Sequence, residues 1–125
     1  MTNNNKKNNP WANLVIAMLS LNSYPIERTW TLFDKLGANG LFNPQNIASW
    51  SYDELCQRLI SSGYDRGRMN DIFAERLWSI RNLADNVSGY EKIIANGTED
   101  DVTKVLSKIK GVGPVVIKNY LLLRG

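Results

Sequence analysis

The stretch from residue 106 to residue 125, LSKIKGVGPVVIKNYLLLRG, decides the fold, because it places a Gly-Val-Gly tripeptide between two apolar segments with helical periodicity. Gly111 and Gly113 have no Cβ, so both can take a positive φ and let the backbone turn tightly. Pro114 suits the first position of a helix, since the N–H that it lacks would have no helical acceptor there. The stretch therefore predicts two helices joined by a tight turn.

The turn also predicts an anion site. Its exposed amides and the positive end of the following helix dipole point the same way, and both favour a phosphate. Five of the chain's 15 basic residues and none of its 12 acidic residues lie between positions 104 and 125. In the alternative interpretation, the segment is a helix corner whose glycines only cap and turn. We interpret it as a helix-hairpin-helix that binds nucleic-acid phosphates through Lys110, Gly111, Val112, Gly113, Val115 and Lys118.

The composition excludes several classes of protein. A chain of 125 residues, 43% of them hydrophobic, is large enough for one buried core. It has no apolar run of 18 residues, and its first ten residues lack the apolar stretch of a signal peptide. We expect a soluble, intracellular protein (cytoplasmic, nucleoid-associated or nuclear) with no membrane partner. With Cys56 as the single cysteine and no histidine, we expect no disulfide, zinc site, iron–sulfur cluster or other cofactor.

The chain divides into a tail and one domain. Residues 1–9 are rich in Asn and Lys and are expected to be disordered, whereas residues 10–125 show helical periodicity throughout. No segment of four to eight residues alternates as a strand would, so we predict an all-α fold of seven or eight short helices. The first helix, from Pro10, is apolar nearly all round and should run through the centre of the core.

End signals predict the helices that follow. Pro25 opens a second helix and Gly37 closes it, and a third covers residues 43–50. Ser51 and Glu54 form a capping box for a fourth helix, which Gly63 ends.

A long helix is predicted over residues 68–87, followed by a short one over 90–96. Thr98, with Asp101, then caps the first helix of the hairpin, and the second covers residues 114–124. Trp78 falls off the apolar stripe of the long helix. The residues predicted to face inward on that helix are Met69, Ile72, Phe73, Leu77, Ile80, Leu83 and Val87.

Three motifs in this order resemble the HhH-GPD superfamily of base-excision DNA glycosylases, in particular the endonuclease III group. Pro10-Trp11 followed by residues 14–23, LVIAMLSLNS, is similar to the family's opening helix and its Leu-Ser-x-Gln turn. Residues 63–69, GYDRGRM, resemble its Gly-aromatic-x-x-x-Lys-Ala stretch, with Arg68 in the lysine's place. Residues 109–114, IKGVGP, resemble its Leu-Pro-Gly-Val-Gly hairpin. The likeness covers residues 10–125.

The resemblance implies a six-helix barrel-like domain that ends in the hairpin. In the family, the hairpin holds the phosphates of duplex DNA on one side of a flipped nucleotide, in the context of DNA repair by base excision. The resemblance also places Arg66, Gly67 and Arg68 near DNA, although a solvated helix start is the alternative. It gives Asn22 the place of the side chain that fills the gap left by the flipped base, and the alternative is a helix C-terminal cap.

The departures from the family concern catalysis. The family's catalytic aspartate follows the second hairpin helix, at which this sequence ends, so no residue here can be given that hydrolase role. Val115 stands where bifunctional members have a Schiff-base lysine, so no lyase activity is expected. Asp65 is interpreted as a helix cap rather than as a catalytic acid, and Cys56 as a small core residue.

Two main functions remain open from the sequence. The chain is either the hairpin domain of a glycosylase, completed by another segment or by a second polypeptide, or a complete non-catalytic DNA-binding or adaptor module. A third alternative is a helical protein-interaction domain whose glycines are structural.

Overall fold

The computed structural model describes residues 9–21 and 24–125, and these residues form nine α-helices and two 3₁₀ segments with no strand among them. The predicted all-α class is confirmed. None of the helices in the described part of the chain has the length and apolarity needed to cross a bilayer. The helices are α1 (Pro10–Leu19), α2 (Ile26–Trp30), α3 (Phe33–Ala38), α4 (Pro44–Ser49), α5 (Tyr52–Ser61), α6 (Asn70–Trp78), α7 (Val87–Asn96), α8 (Glu99–Leu106) and α9 (Pro114–Arg124), and the 3₁₀ segments are Gly67–Met69 and Ser79–Asn86.

Helix α1 lies at the centre of the core, as its sequence predicts, because every one of its residues is buried. The Asn9 side chain accepts a hydrogen bond from the Ala12 amide, and Pro10 occupies the first turn, where no N–H is needed. The helix packs most extensively against α9 and also contacts α2, α6 and α7. The first and last helices of the domain therefore form one unit.

Side chains of α9 hold it in place at three points. Asn119 donates to two backbone carbonyls at the C-terminal end of α1, at 3.1 and 3.5 Å. The buried Tyr120 hydroxyl donates to the Ile94 carbonyl at 2.7 Å. Arg124 donates to the carbonyls of Ile94 and Gly97, at 3.2 and 2.9 Å. These last two residues satisfy carbonyls at the end of α7 that have no helical donor.

Two of the predicted helix caps can be compared with the structure. At α8, Thr98 accepts from the Asp101 amide and Asp101 accepts from the Thr98 amide, so a full capping box is present. At α5, Ser51 accepts from the Glu54 amide, but the Glu54 carboxylate pairs with Arg58 at 2.8 Å instead. Only half of the capping box predicted at α5 is therefore formed.

The single helix predicted between Pro25 and Gly37 is wrong, because the chain there forms α2 and α3 with a turn between them. Gly37 lies inside α3, and Gly40 takes the positive φ of +79° instead. The turn brings the rings of Trp30 and Phe33 to 5.1 Å from each other. No proline or glycine lies at this break, so contacts with the rest of the chain override the local helical preference there.

The long helix predicted over residues 68–87 is also wrong as one element, because only α6 is α-helical there and Ser79–Asn86 is 3₁₀. Leu77, Ile80 and Leu83 are buried as predicted, and their spacing of three residues matches the three residues per turn of a 3₁₀ helix. Ile72, predicted to face inward, is 45% exposed. The apolar pattern locates the buried face but does not distinguish the two kinds of helix.

Burial of two tyrosines predicts a loss of stability in alkali. Burial raises the pKa of Tyr64 to about 12 and raises that of Tyr120 above its usual range. In the unfolded chain both phenols ionise near their ordinary pKa of 10, so the unfolded state loses protons first. The stability that Tyr64 contributes is complete below pH 10 and is lost as the pH rises through about 12, and Tyr120 contributes in the same direction. Absorbance titration of tyrosinate with parallel circular dichroism would measure it, and ordinary titration of all five tyrosines before unfolding would contradict it.

Candidate nucleic-acid interface

Residues 107–113 connect α8 to α9 and are held by a short series of backbone hydrogen bonds. The amides of Lys108, Ile109 and Val112 donate to carbonyls three residues earlier, at 3.1 Å in each case. The Ile109 side chain is 1% exposed and anchors the turn in the core. Gly111 takes a φ of +86°, which favours glycine. The predicted pair of helices joined by a turn is therefore present.

The two glycines of the turn differ from each other. Both glycines can take a positive φ, but Gly113 does not use it, because its φ of −116° and ψ of −169° are extended. A Cβ at Gly113 would have no neighbour within 4 Å, whereas a Cβ at Gly111 would lie 2.5 Å from Cγ of Arg76. Gly111 is therefore required by the fold, while Gly113 leaves open space beside the first turn of α9.

The N-terminus of α9 provides amides for an anion. The first helical hydrogen bond runs from the Ile117 amide to the Gly113 carbonyl at 3.2 Å. The amides of Val115 and Val116 precede it and so have no helical acceptor, and Gly113 has no side chain to cap them. Pro114 contributes no N–H. The positive end of the dipole of this 11-residue helix is thus left uncapped.

The basic residues around the turn have different surroundings. Lys118 is exposed on the first turns of α9. Nζ of Lys110 lies 3.3 Å from Oε1 of Glu75, and both side chains are mostly exposed, so solvent weakens this pair. Lys108 lies over the Tyr90 ring at 5.4 Å. Arg124, counted in the sequence with this cluster, lies at the other end of α9 and is bonded there to backbone carbonyls.

A groove of about 690 Å³ runs between α8 and α9, next to these amides. Its lining is mainly apolar, and its polar residues are Glu99, Thr103, Ser107 and Lys118. Val115 and Leu122 are 58% and 65% exposed on α9. The sequence indicated these residues only indirectly, through the apolar run of α9, which extends around more than one face of the helix. The apolar lining consists of Val112, Pro114, Ile117, Leu121 and Leu122.

The turn that contains Arg66, Gly67 and Arg68 shows one exposed and one engaged arginine. Arg68 is exposed, and Gly67 takes a φ of +63° with open space around it. Arg66 is partly buried and donates to the Leu21 carbonyl at 2.7 Å. The Asp65 carboxylate accepts from the Gly67 amide at 3.1 Å, as in an Asx turn. The helix cap predicted at Asp65 is wrong, because Arg66 is the N-cap of the 3₁₀ segment and no side chain caps it.

The other residues singled out in the sequence lie as follows. Asn22 falls outside the described residues. The Trp78 indole N–H donates to the Trp50 carbonyl at 3.4 Å and its ring lies 3.7 Å from the guanidinium carbon of Arg81. Cys56 is half-buried, and burial raises the pKa of its thiol. In the part of the chain that the structure describes, no three His, Cys, Asp or Glu residues are grouped to hold a metal ion.

Comparison of the chain with protein-family models, with curated proteins and with solved structures found no match. The likeness to the HhH-GPD superfamily therefore depends on the three sequence motifs alone.

Proposed function

We propose that this domain binds duplex DNA through its phosphates, in the manner of a helix-hairpin-helix, and belongs to base-excision repair. The observation that carries the proposal is the uncapped N-terminus of α9, where the amides of Val115 and Val116 adjoin the open space at Gly113. An N-terminus of this kind attracts a phosphate both by its N–H groups and by its dipole. The exposed Lys118 on the same helix adds a positive charge.

Binding of this kind does not depend on base sequence. Backbone amides and lysines recognise phosphates, which are the same at every nucleotide, and so position the protein without reading the bases. The Glu75 carboxylate beside Lys110 moderates the charge of the turn, since Lys110 must exchange this partner for a phosphate. We infer weak, non-specific binding at physiological salt.

The likeness to glycosylases assigns a reaction but not its catalytic acid. Hydrolysis of an N-glycosidic bond at a flipped base needs a carboxylate near the sugar to stabilise its developing positive charge. Among the acids considered, Asp65 is engaged with the Gly67 amide. Val115 cannot form an imine, so lyase chemistry does not occur at this position. In this proposal the domain supplies the grip on DNA, and a further segment or second polypeptide supplies the acid.

We predict that the affinity for a duplex of about 20 base pairs falls as salt is added, because bound lysines release counterions from the phosphates. The hairpin should contribute about two to four phosphates to the slope of log K against log salt, and Lys118→Gln should remove about one of them. Fluorescence anisotropy with duplexes of unrelated sequence would measure both values.

Asp100→Asn is the matched control for Lys118→Gln, because Asp100 is exposed at the start of α8 and a neutral substitution there removes a charge of opposite sign. It should leave the slope unchanged or raise the affinity. Affinity that is indifferent to salt, or absent at low salt, would exclude nucleic-acid binding.

The groove supports a second candidate function, the helical protein-interaction domain. Its apolar lining and the exposed Val115 and Leu122 suit the apolar face of a partner helix. Leu122→Asp distinguishes the two functions. It should abolish binding of a protein partner, whereas it should leave binding of duplex DNA within about twofold, since Leu122 lies two turns away from the amides.

A further inference from the structure

A row of arginines and aromatic rings extends from α2 to α6. The guanidinium carbon of Arg28 lies 4.6 Å from the centre of the Tyr24 ring, and that of Arg66 lies 4.7 Å from the same ring. Arg66 is also 4.9 Å from the Phe73 ring, over which Arg76 lies at 5.5 Å. Each ring is thus shared by two guanidinium groups. We call these five side chains the arginine ladder.

The ladder ends at the hairpin. The side chain of Arg76 occupies the space beside Gly111, 2.5 Å from where a Cβ would stand. Lys110, the residue before Gly111, pairs with Glu75, the residue before Arg76. The ladder and the turn therefore adjoin each other through α6.

The rings form the inner layer of the ladder and the arginines its outer layer. Tyr24 and Phe73 are only 8% and 1% exposed, whereas Arg28 is exposed and Arg66 and Arg76 are partly exposed. A cation over a ring face is held in place by the ring quadrupole. The arginines are therefore ordered before any ligand binds. Arg66 already donates to the Leu21 carbonyl and the Tyr64 hydroxyl, so we assign phosphate contacts to Arg28 and Arg76 at the two ends of the ladder.

Acids do not neutralise the two ends of the ladder. In the described ranges 9–21 and 24–125, no carboxylate lies within 4.0 Å of the Arg28 or Arg76 guanidinium. Planar guanidinium groups pair well with phosphate oxygens, which can accept two N–H groups at once. A row of ordered guanidinium groups suits a ligand whose anions repeat along a chain.

We propose that the arginine ladder is a second phosphate-binding row, which contacts duplex DNA beside the hairpin and extends its footprint. This inference rests on the proposed function of the hairpin. Duplex DNA is favoured over a single strand because Tyr24 and Phe73 are covered by the arginines and offer no free face for stacking of unpaired bases. The row then binds phosphates and does not read bases.

The test is the double variant Arg28→Gln/Arg76→Gln, titrated against a duplex of about 20 base pairs at several salt concentrations. Loss of two phosphate contacts should lower the salt slope by about two and the affinity at low salt on the order of 10- to 100-fold. The matched control is Arg81→Gln, since Arg81 also lies over a ring, that of Trp78, but outside the ladder. It should change neither quantity.

Two further variants keep the test decisive if the double variant does not fold. Arg28→Lys/Arg76→Lys retains both charges and should keep the slope while the affinity falls less than in the Gln variant. Arg28→Gln alone, at the exposed end of the ladder, should lower the slope by about one.

The proposal for the ladder and the proposal for the hairpin can be contradicted independently of each other. If Lys118→Gln weakens binding while the folded arginine variants bind as the wild type does, the ladder is not a phosphate row and the hairpin proposal stands. If the wild type does not bind duplexes, both proposals fail. Tighter binding to a single strand of equal length would overturn the choice of duplex DNA for the ladder.

Discussion

Gly111→Ala is expected to destabilise the protein by about 2–3 kcal/mol. An alanine at the Gly111 φ of +86° costs about 1–2 kcal/mol, since Cβ then approaches the backbone. The new Cβ would also lie 2.5 Å from Cγ of Arg76, so that side chain must move as well. Urea denaturation followed by circular dichroism would measure the change in the free energy of unfolding.

Gly113→Ala is expected to leave the stability of the protein nearly unchanged and to weaken its binding of DNA. Its backbone is extended and a Cβ would meet no atom within 4 Å, so the free energy of unfolding should stay within about 0.5 kcal/mol of the wild-type value. In the complex, the same Cβ would occupy the space that a phosphate needs to reach the amides of α9. The affinity for duplex DNA should therefore fall on the order of tenfold, which corresponds to about 1.4 kcal/mol.

Gly67→Ala is the control for the backbone strain of a positive φ in the absence of a side-chain contact. Gly67 has a φ of +63° but open space around its Cβ position, so alanine there should cost only the backbone term of about 1–2 kcal/mol. If Gly111→Ala costs no more than Gly67→Ala, the contact with Arg76 has no energetic weight. If Gly113→Ala binds duplexes as tightly as the wild type does, no phosphate approaches this glycine and the hairpin site is wrongly assigned.

The apolar periodicity of the sequence predicted the all-α class, and its end signals predicted several helix starts. Pro10, Thr98 and Pro114 each mark a helix start that the structure confirms. These residues act locally, through a missing N–H or a side chain that accepts from a backbone amide, so their effect does not depend on the tertiary structure.

Helix interruptions were not predictable in the same way. The break between α2 and α3 and the change to 3₁₀ geometry at Ser79 are accompanied by no proline and no glycine. They depend on contacts with other parts of the chain, such as the packing of α4 against the 3₁₀ segment Ser79–Asn86. Tertiary contacts of this kind override local preference.

For the candidate site, the sequence predicted the residue types but not their environments. Glycine permits a positive φ, yet only the fold determines that Gly111 uses it and Gly113 does not. Arg66 was assigned to DNA from its motif, whereas its two ring contacts depend on Tyr24 and Phe73, which are distant from each other in sequence. The arginine ladder has no linear signature, because its members come from three separate segments.

Tyr120→Ala is expected to destabilise the protein by about 4 kcal/mol. The Tyr120 side chain is fully buried and α9 packs against α1 in the core, so truncation leaves a cavity of aromatic size. The change also removes the hydrogen bond of 2.7 Å to the Ile94 carbonyl. At about 4 °C per kcal/mol for a domain of this size, the melting temperature should fall by about 15 °C.

Two variants distinguish loss of the buried Tyr120 ring from loss of its hydroxyl group and from truncation of an exposed side chain on α9. Tyr120→Phe keeps the ring and should cost only about 1 kcal/mol, because Arg124 also donates to the Ile94 carbonyl and keeps it satisfied. Leu122→Ala, on the same helix but with a side chain that is 65% exposed, should stay within about 0.5 kcal/mol of the wild type. Calorimetry would measure the melting temperatures of all three variants.

If Tyr120→Ala has the same melting temperature as the wild type, α9 is not part of the core and its N-terminus cannot be a rigid phosphate site. If Tyr120→Ala is the least stable of the three variants, α9 carries the candidate amides and is also essential for folding. A loss of DNA binding then has to be interpreted from variants that leave stability unchanged, such as Gly113→Ala.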